Sequence, residues 1–358
     1  MNKIRTLIVD DSAFMRKSLQ IMLESDPEIE IVDTARDGVQ GVELVKKLRP
    51  DVVTLDIEMP RLDGLSALKQ IMNECPTAVI MVSSLTSEGA EATLNAMELG
   101  AVDFIPKELS FVNVNIVKIK EELISKVKTI GRHARLKNRL SRITNKQPIE
   151  VPAKPKQYVR SILPKHIYSA IALGISTGGP LSLQKVIPLL SEKINIPIFI
   201  VQHMPPKFTQ SLSERLNSMS KLNVKEAAHG DIVKGGTVYI APGGKHMTIK
   251  LVNGVKNIYI SDEPSTTLHR PSVDVMINSV VDTYGSSTLG IIMTGMGKDG
   301  YEAIKKLKEI GGQVIAQDEE TCVVYGMPKA IVDAELADAI LPLNKFSETI
   351  NNLVVRYV

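Results

Sequence analysis

Short apolar runs alternate with amphipathic stretches along most of the chain, and this alternation predicts α/β structure. In the first third the apolar runs are too short for helices, and stretches with three- and four-residue apolar spacing separate them. Strands that alternate with helices form parallel sheets covered on both faces. We therefore predict a compact flavodoxin-like unit with a five-stranded parallel sheet. Its predicted strands are Thr6–Val9, Ile29–Val32, Val52–Leu55, Ala78–Val82 and Val102–Ile105.

The same alternation returns in the second half of the chain. One stretch, residues 247–261, instead alternates residue by residue around Asn253-Gly254, which is a strong signal for a β-hairpin. We predict a second, doubly wound and mostly parallel α/β domain that carries this hairpin. Its predicted strands are Ser169–Ile175, Pro197–Val201, Thr237–Ile240, Thr288–Met293 and Gln313–Ala316.

A basic segment lies between the two units. Apolar residues from Ile116 to Ile130 recur at helical spacing, and residues 118–165 contain 14 Lys and Arg against 3 Asp and Glu. Three prolines between residues 148 and 155 favour an extended linker. The predicted boundaries are a first domain at 1–125, a linker at 126–165, a second domain at 166–350 and a tail at 351–358. The segment has few aromatic residues and no DNA-binding motif, so no nucleic-acid partner is expected.

Composition restricts the class of protein further. A chain of 358 residues with 44% hydrophobic and 23% charged residues is typical of a globular protein with two domains. No apolar run approaches the ~18 residues of a membrane span, and the N-terminus lacks the features of a signal peptide. Cys75 and Cys322 are far apart and have no metal-ligand spacing. We expect a cytoplasmic protein with reduced cysteines and no membrane insertion.

Charged and polar residues follow the strands of the first unit at the edge where the carboxyl ends of the strands meet. Asp10 and Asp11 follow the first strand, Asp56 the third, Ser83 the fourth and Lys107 the fifth. Carboxylates gathered at one edge repel each other and therefore require a cation or a shared proton. Oxygen ligands of this kind suit Mg²⁺. With its charge neutralised, an aspartate carboxylate could attack a phosphoryl donor.

About the first 120 residues resemble a response-regulator receiver domain. The resemblance implies that a histidine kinase phosphorylates Asp56, and that Asp11, Asp56 and the main-chain carbonyl of Glu58 hold Mg²⁺ beside Asp10. It also implies that Ser83 and Phe104 are the hydroxyl and aromatic switch residues, next to Lys107. The matching residues are Asp10-Asp11, Asp56, Glu58-Met59-Pro60, Asp63-Gly64, Ser83, Phe104 and Lys107.

Three residues with complementary chemistry follow strands of the second unit. Ser176 lies in the sequence Gly-Ile-Ser-Thr-Gly, which matches the G-x-S-x-G turn of serine hydrolases but also occurs as an ordinary glycine-rich turn. His203 and Asp299 follow two other strands, and parallel strands direct such residues to one side. Serine needs an imidazole as base, and a carboxylate orients that imidazole. The order Ser…His…Asp differs from that of α/β-hydrolases.

Other interpretations of this unit are weaker. The sequence Gly-Met-Gly-Lys-Asp, residues 295–299, resembles a phosphate loop but lacks the Ser or Thr that should follow the lysine. No group of residues has metal-ligand spacing, so neither a metal nor another cofactor is expected here. His246 and His269 flank the hairpin, where each could line a cleft or cap a loop. Arg270 could bind an acidic substrate.

Residues 168 to about 350 resemble the catalytic domain of the chemotaxis receptor methylesterases, the CheB family. The resemblance implies hydrolysis of γ-glutamyl methyl esters on chemoreceptors with release of methanol, and deamidation of receptor glutamines. Ser176, His203 and Asp299 carry over as the triad, and backbone N–H groups near Thr177, Gly178 and Met296 are expected around the oxyanion. The alternative is a non-enzymatic output controlled by the receiver, either a scaffold or a nucleic-acid binder. The matching segments are residues 174–179, 202–204, 241–244, 269–272 and 294–300.

Regulation follows from the order of the two domains. We hypothesise that the receiver obstructs the strand edge that carries Ser176 and that phosphorylation of Asp56 shifts this arrangement. The alternative is that the receiver stimulates the second domain.

Overall fold

The computed structural model describes residues 3–107, 115–144 and 167–355, and within the helix 115–144 it describes the side chains of residues 119–135. The chain divides into two compact units, residues 1–154 and 155–358. The part of the predicted linker beyond residue 144 and the last three residues of the predicted tail lie outside the described residues.

The first unit is a five-stranded sheet in the order β2-β1-β3-β4-β5, and every pairing in it is parallel. This order is the doubly wound, flavodoxin-like arrangement that the hydrophobic pattern predicts. The strands are β1 Ile4–Val9, β2 Ile29–Ala35, β3 Val52–Asp56, β4 Ala78–Ser83 and β5 Asp103–Pro106. The helices are α1 Ala13–Glu24, α2 Gly38–Leu48, α3 Gly64–Glu74, α4 Ser87–Glu98 and α5 Asn115–Thr144.

Helix α5 extends well past residue 125, where the sequence places the end of the first domain. Its basic residues beyond that point contact the first unit: Lys126 bonds to Asp103 at 3.3 Å, and Lys128 bonds to Asp26 at 2.9 Å. Leu123, Val127 and Ile130 are buried, as their helical spacing predicts. The first part of the predicted linker is therefore a helix that packs on the first unit.

The second unit contains a seven-stranded sheet in the order β14-β13-β12-β6-β7-β9-β8, and all its pairings are parallel. Strand order reverses between β6 and β12, which is where open α/β sheets place their sites. The strands are β6 Ala170–Ile175, β7 Ile198–Gln202, β8 Asn223–Glu226, β9 Thr237–Ile240, β10 His246–Val252, β11 Val255–Ser261, β12 Thr288–Ile292, β13 Gln313–Gln317 and β14 Ala339–Leu341. The helices are α6 Gly179–Val186, α7 Phe208–Met219, α8 Val273–Tyr284, α9 Tyr301–Glu309, α10 Met327–Asp333 and α11 Phe346–Val354.

The predicted hairpin forms a two-stranded antiparallel sheet of its own, β10-β11, and does not join the main sheet. Its turn residues Asn253 and Gly254 both have positive φ, 51° and 79°, as a tight hairpin turn requires. Ile249 and Ile258 belong to the same apolar cluster as Met276 and Ile277 of α8. The hairpin is therefore held against α8 beside the main sheet.

The structure differs from the sequence prediction at the edges of the second unit. The hydrophobic pattern misses β8 and β14, which are short edge strands with few buried residues. Helix α11 continues to Val354, so residues 351–354 are not a free tail. Asn351 accepts a hydrogen bond from the N–H of Ser191 at 2.8 Å and donates to the carbonyl of Leu189 at 3.1 Å. Among the described helices, none combines the length and apolar character that a membrane span needs.

Candidate active site

The register of two neighbouring strands brings Ser176 and His203 together. Ile175, the last residue of β6, pairs with Gln202, the last residue of β7. The next residue on each strand is therefore Ser176 or His203, at the same edge of the sheet. Asp299 reaches this edge from the loop between β12 and α9, and β12 is the other neighbour of β6.

The three side chains form a continuous hydrogen-bonded chain. His203 Nδ1 lies 3.2 Å from Ser176 Oγ, and His203 Nε2 lies 2.8 Å from Asp299 Oδ2. A carboxylate only accepts, so the imidazole proton lies on Nε2 and Nδ1 is free to accept the serine proton. The His203 and Asp299 side chains are only 10% and 9% exposed, whereas Ser176 is half-buried. The predicted triad is therefore assembled with its serine accessible from one side.

Asp299 lies at the N-terminus of α8, which supplies its remaining hydrogen bonds. The N–H of Val273 donates to Oδ2 at 2.7 Å, and the N–H of Asp274 donates to Oδ1 at 3.0 Å. The hydroxyl of Ser272, the N-cap of the helix, donates to Oδ1 at 2.9 Å. A helix N-terminus offers free N–H groups and partial positive charge to an anion. The carboxylate is thus held in one orientation by four donors.

These donors set the charge of Asp299. Burial by itself raises the pKa of the carboxyl. The hydrogen bond and charge of His203, with the N–H groups of Asp274 and Val273, outweigh burial and hold the pKa well below its usual range. Asp299 is therefore an anion under all ordinary conditions and can stabilise a protonated His203.

The turn that carries Ser176 depends on two glycines. Gly178 has φ of 76°, and a Cβ there would strike Val323. A Cβ on Gly179 would collide with the side-chain amide oxygen of Gln202. That same amide donates from Nε2 to the carbonyls of Ser176 at 3.0 Å and His203 at 3.2 Å. Gln202 therefore links the loop of Ser176 to the loop of His203.

The residues predicted around the oxyanion lie beside this turn. Thr177 is buried, and its carbonyl accepts a hydrogen bond from the Thr294 hydroxyl at 2.9 Å. Gly178 is the N-cap of α6, and Met296 is half-buried in the loop that leads to Asp299. A Cβ on Gly295 would meet the Cβ of Ser176, so the Met296 loop passes close to Ser176.

The two histidines that flank the hairpin differ in position. The ring of His269 stacks on His203, with centroids 4.2 Å apart and planes inclined by 18°. His246 is completely buried and accepts the N–H of Ser272 at 3.2 Å. Arg270 lies 3.4 Å from Asp262 at the surface. The sequence analysis does not predict these contacts. A serine before an apolar helical stretch, as at Ser272, is however a recognisable N-cap signal.

A second cluster of charges lies at the sheet edge of the first unit. Asp10, Asp11 and Asp56 each offer a carboxylate oxygen, and these atoms lie within 4.8 Å of one another. Lys107 Nζ is 2.6 Å from Asp56 Oδ2 and 3.5 Å from Asp10 Oδ2. One ammonium leaves the three carboxylates with a net charge of about −2. A set of hard oxygen donors with excess negative charge fits Mg²⁺.

Burial raises the pKa of Asp56 to about 6, although its hydrogen bond with Lys107 opposes this change. The neighbouring charge of Asp10 contributes to this rise. A bound cation stabilises the ionised form of a buried carboxylate, which agrees with the fit of the donor set to Mg²⁺.

The remaining receiver residues surround this cluster. The main-chain N–H of Glu58 donates to Asp56 Oδ1 at 3.2 Å, and the Glu58 side chain is exposed. Ser83 donates its hydroxyl to the carbonyl of Gly89 in α4 at 3.1 Å. Phe104 is buried, and Lys126 Nζ lies 5.5 Å from the centre of its ring.

Comparison with protein families assigns a family to each unit. Residues 171–350 match the CheB methylesterase family, and residues 6–116 match the response regulator receiver domain. The chain belongs to the CheB methylesterase family. The predicted family and fold class are thereby confirmed, with a parallel receiver sheet followed by a parallel α/β catalytic domain and its hairpin.

Relatives with both domains cover nearly the whole chain. A protein of Lawsonia intracellularis named protein-glutamate methylesterase/protein-glutamine glutaminase is 50% identical over 353 residues, which is 97% of this chain and 98% of that protein. A Thermotoga maritima protein of the same name is 44% identical and covers 98% of each chain. The crystal structure of the Thermotoga maritima CheB methylesterase catalytic domain is similar to 53% of this chain, with 46% identity and a TM-score of 0.51.

Proposed function

We propose that this chain removes methyl groups from glutamyl methyl esters of chemoreceptors and deamidates receptor glutamines, with Ser176 as the nucleophile. The observation that carries the proposal is the position of His203 between Ser176, at 3.2 Å, and Asp299, at 2.8 Å. A serine, a base and an orienting carboxylate in this arrangement perform acyl transfer. The names of the relatives supply the substrate class.

The reaction proceeds through an acyl-enzyme. Ser176 Oγ attacks the side-chain carbonyl carbon as its proton moves to His203 Nδ1, and Asp299 stabilises the imidazolium. The bond to the methoxy group then breaks, and His203 returns the proton so that methanol leaves. Water attacks the acyl-enzyme by the same route and releases the glutamate carboxylate and free Ser176. With a glutamine substrate the carbon–nitrogen bond breaks instead, and ammonia leaves.

Backbone N–H groups near Thr177, Gly178 and Met296 stabilise the oxyanion in this mechanism. Removal of one such donor typically costs about 3 kcal/mol of transition-state stabilisation. The support is positional: all three residues lie on the two loops that flank the Ser176 side chain, and Thr294 holds the first of these loops through the Thr177 carbonyl.

Phosphorylation of Asp56 in the receiver regulates this activity. A histidine kinase is the phosphodonor, and Asp10, Asp11, Asp56 and the carbonyl of Glu58 would hold Mg²⁺. The ion would neutralise charge on the carboxylates and on the phosphoryl group. Lys107 orients Asp56, whereas Ser83 and Phe104 respond to the new phosphoryl oxygens. The enzyme acts in the cytoplasm on the receptors' cytoplasmic segments.

Methanol release from methylated chemoreceptor, measured with and without a small-molecule phosphodonor, tests this function. Ser176→Ala should abolish methanol release. Among the hydrogen bonds of the described residues, the Ser176 hydroxyl is the group that contacts His203 Nδ1 and could act as a nucleophile. Asp56→Asn should retain basal release and lose the response to the phosphodonor. An active Ser176→Ala variant would refute the assignment of the nucleophile.

A further inference from the structure

The buried side chain of His246, the first residue of β10, is bonded on both ring nitrogens. Nδ1 accepts a hydrogen bond from the main-chain N–H of Ser272 at 3.2 Å. Nε2 lies 3.2 Å from the carbonyl of Pro264 and 3.1 Å from the hydroxyl of Thr267. The residue is 0% exposed, so water does not substitute for these partners.

These contacts define the protonation state of the ring. An N–H group only donates, so Nδ1 must carry a lone pair; a carbonyl only accepts, so Nε2 must carry the proton. His246 is therefore neutral in the folded protein. Burial lowers its pKa, and the nearby charge of Arg270 acts in the same direction against the opposing charges of Asp299 and Asp262.

Ser272 connects this histidine to the triad. Its N–H is held by His246, and its hydroxyl donates to Asp299 Oδ1 at 2.9 Å. The same hydroxyl accepts the N–H of Val275 at 3.4 Å as the N-cap of α8. Ser272, the N-cap of α8, is therefore bonded to His246 through its main chain and to Asp299 through its side chain.

We propose that His246 is a positioning residue for the hydrolase, because it anchors Ser272 and thereby holds Asp299 in line with His203 Nε2. The proposal rests on the function proposed above, since it assumes that the Ser176–His203–Asp299 chain performs the reaction. His246 touches neither the substrate nor the reacting atoms. It acts from the opposite side of Asp299, through one serine.

Two substitutions of similar size separate this role from simple packing. In His246→Asn the amide oxygen occupies the position of Nδ1 and still accepts the N–H of Ser272, whereas the bond to Pro264 is lost. In His246→Gln the amide reaches the position of Nε2 and keeps Pro264, whereas the N–H of Ser272 loses its acceptor. The Asn variant loses the contacts of Nε2 with Pro264 and Thr267, and the Gln variant loses the N–H of Ser272, so both should lower the unfolding midpoint.

The activities of the two variants should differ. His246→Gln should lower kcat at least tenfold with KM changed less than about twofold, because a misplaced carboxylate weakens the base and leaves substrate binding intact. Labelling of Ser176 by a fluorophosphonate should slow in parallel. His246→Asn should recover most of the wild-type kcat. His229→Gln is the matched control: His229, exposed in the turn between β8 and β9, also accepts a main-chain N–H at Nδ1, from Ile260 of the hairpin at 3.3 Å.

Equal kcat values for the Asn and Gln variants, whether near wild type or reduced, would overturn the proposal and leave His246 a packing residue. If His246→Gln does not fold, Ser272→Ala is the deciding variant, because it removes the hydroxyl that is bonded to Asp299. A tenfold loss of kcat in this variant supports the proposal, and a wild-type kcat overturns it. Failure of the proposed function has a different signature: Ser176 in the wild-type chain would not be labelled at all.

Discussion

Replacement of Asp299 by asparagine tests the core of the mechanism with the smallest change in shape. The carboxylate accepts hydrogen bonds from four donors: His203 Nε2, the N–H groups of Val273 and Asp274, and the Ser272 hydroxyl. An asparagine has one accepting oxygen, and its NH2 group must face two of these donors. Neither orientation of the amide satisfies the site.

Each orientation damages the triad in its own way. If the NH2 group faces His203, the imidazole must place its proton on Nδ1, where it can no longer take the proton of Ser176. If the NH2 group faces α8 instead, the N–H of Asp274 loses its acceptor at a buried site, which costs about 1–3 kcal/mol. In both orientations the negative charge that stabilises the imidazolium is gone. We expect kcat to fall by about 10³–10⁴, equivalent to about 4–5.5 kcal/mol in the barrier.

The assay is steady-state methanol release by the phosphorylated full chain, with circular dichroism and thermal unfolding to verify folding. Asp274→Asn is the matched control because it makes the same chemical change at the neighbouring helix N-terminal carboxylate. Asp274 Oδ1 accepts the N–H of Ala303 at 2.8 Å, and its variant should stay within about tenfold of wild type. A folded Asp299→Asn enzyme with more than a tenth of the wild-type kcat would refute the role assigned to Asp299.

Two further predictions concern residues outside the triad. The pKa of Asp56 is raised from 3.8 to about 6, so its ionised form destabilises the folded receiver above about pH 6 and this cost disappears below about pH 4. Asp56→Asn should therefore raise the free energy of unfolding of the receiver by roughly 2–3 kcal/mol at pH 7 and by little at pH 4, measured by denaturant titration without Mg²⁺. An equal rise at both pH values would contradict this prediction. Gln202→Met should lower the free energy of unfolding by about 1–2 kcal/mol and reduce kcat, because two hydrogen bonds to the carbonyls of Ser176 and His203 are lost; unchanged kcat in this variant would show that the two loops hold their positions without the amide.

The hydrophobic pattern predicts most of the fold because strand ends are local features. Ser176 and His203 directly follow buried apolar runs, so the sequence alone places them at one edge of a parallel sheet. What the sequence does not contain is the register of β6 against β7. The pairing of Ile175 with Gln202 depends on packing across the sheet, and a shift of one strand by one residue would turn its side chains to the opposite face.

The support of Asp299 could not be predicted for a related reason. His246 and Ser272 are 26 residues apart, and they meet only because the hairpin packs on α8. The boundary of the predicted linker also depends on contacts between residues that are distant in the sequence, in this case charged ones. Composition makes the segment after residue 125 look solvated, yet Lys128 and Arg135 have partners in Asp26 and Asp51, more than 80 residues away. A count of charges along the chain contains no information about such partners.

Two buried carboxylates at the N-terminus of α8 illustrate how position decides their roles. Burial raises the pKa of both Asp274 and Asp299, and the negative charge of Asp299 raises the pKa of Asp274 further. Only Asp299 has a histidine opposite it and receives two N–H groups of the helix and a hydroxyl, so its pKa falls whereas that of Asp274 stays raised. As the pH falls, Asp274 therefore takes up a proton before Asp299 does. The neutralisation of Asp274 relieves its repulsion on Asp299, so the carboxylate of the triad keeps its charge after its neighbour has lost its own.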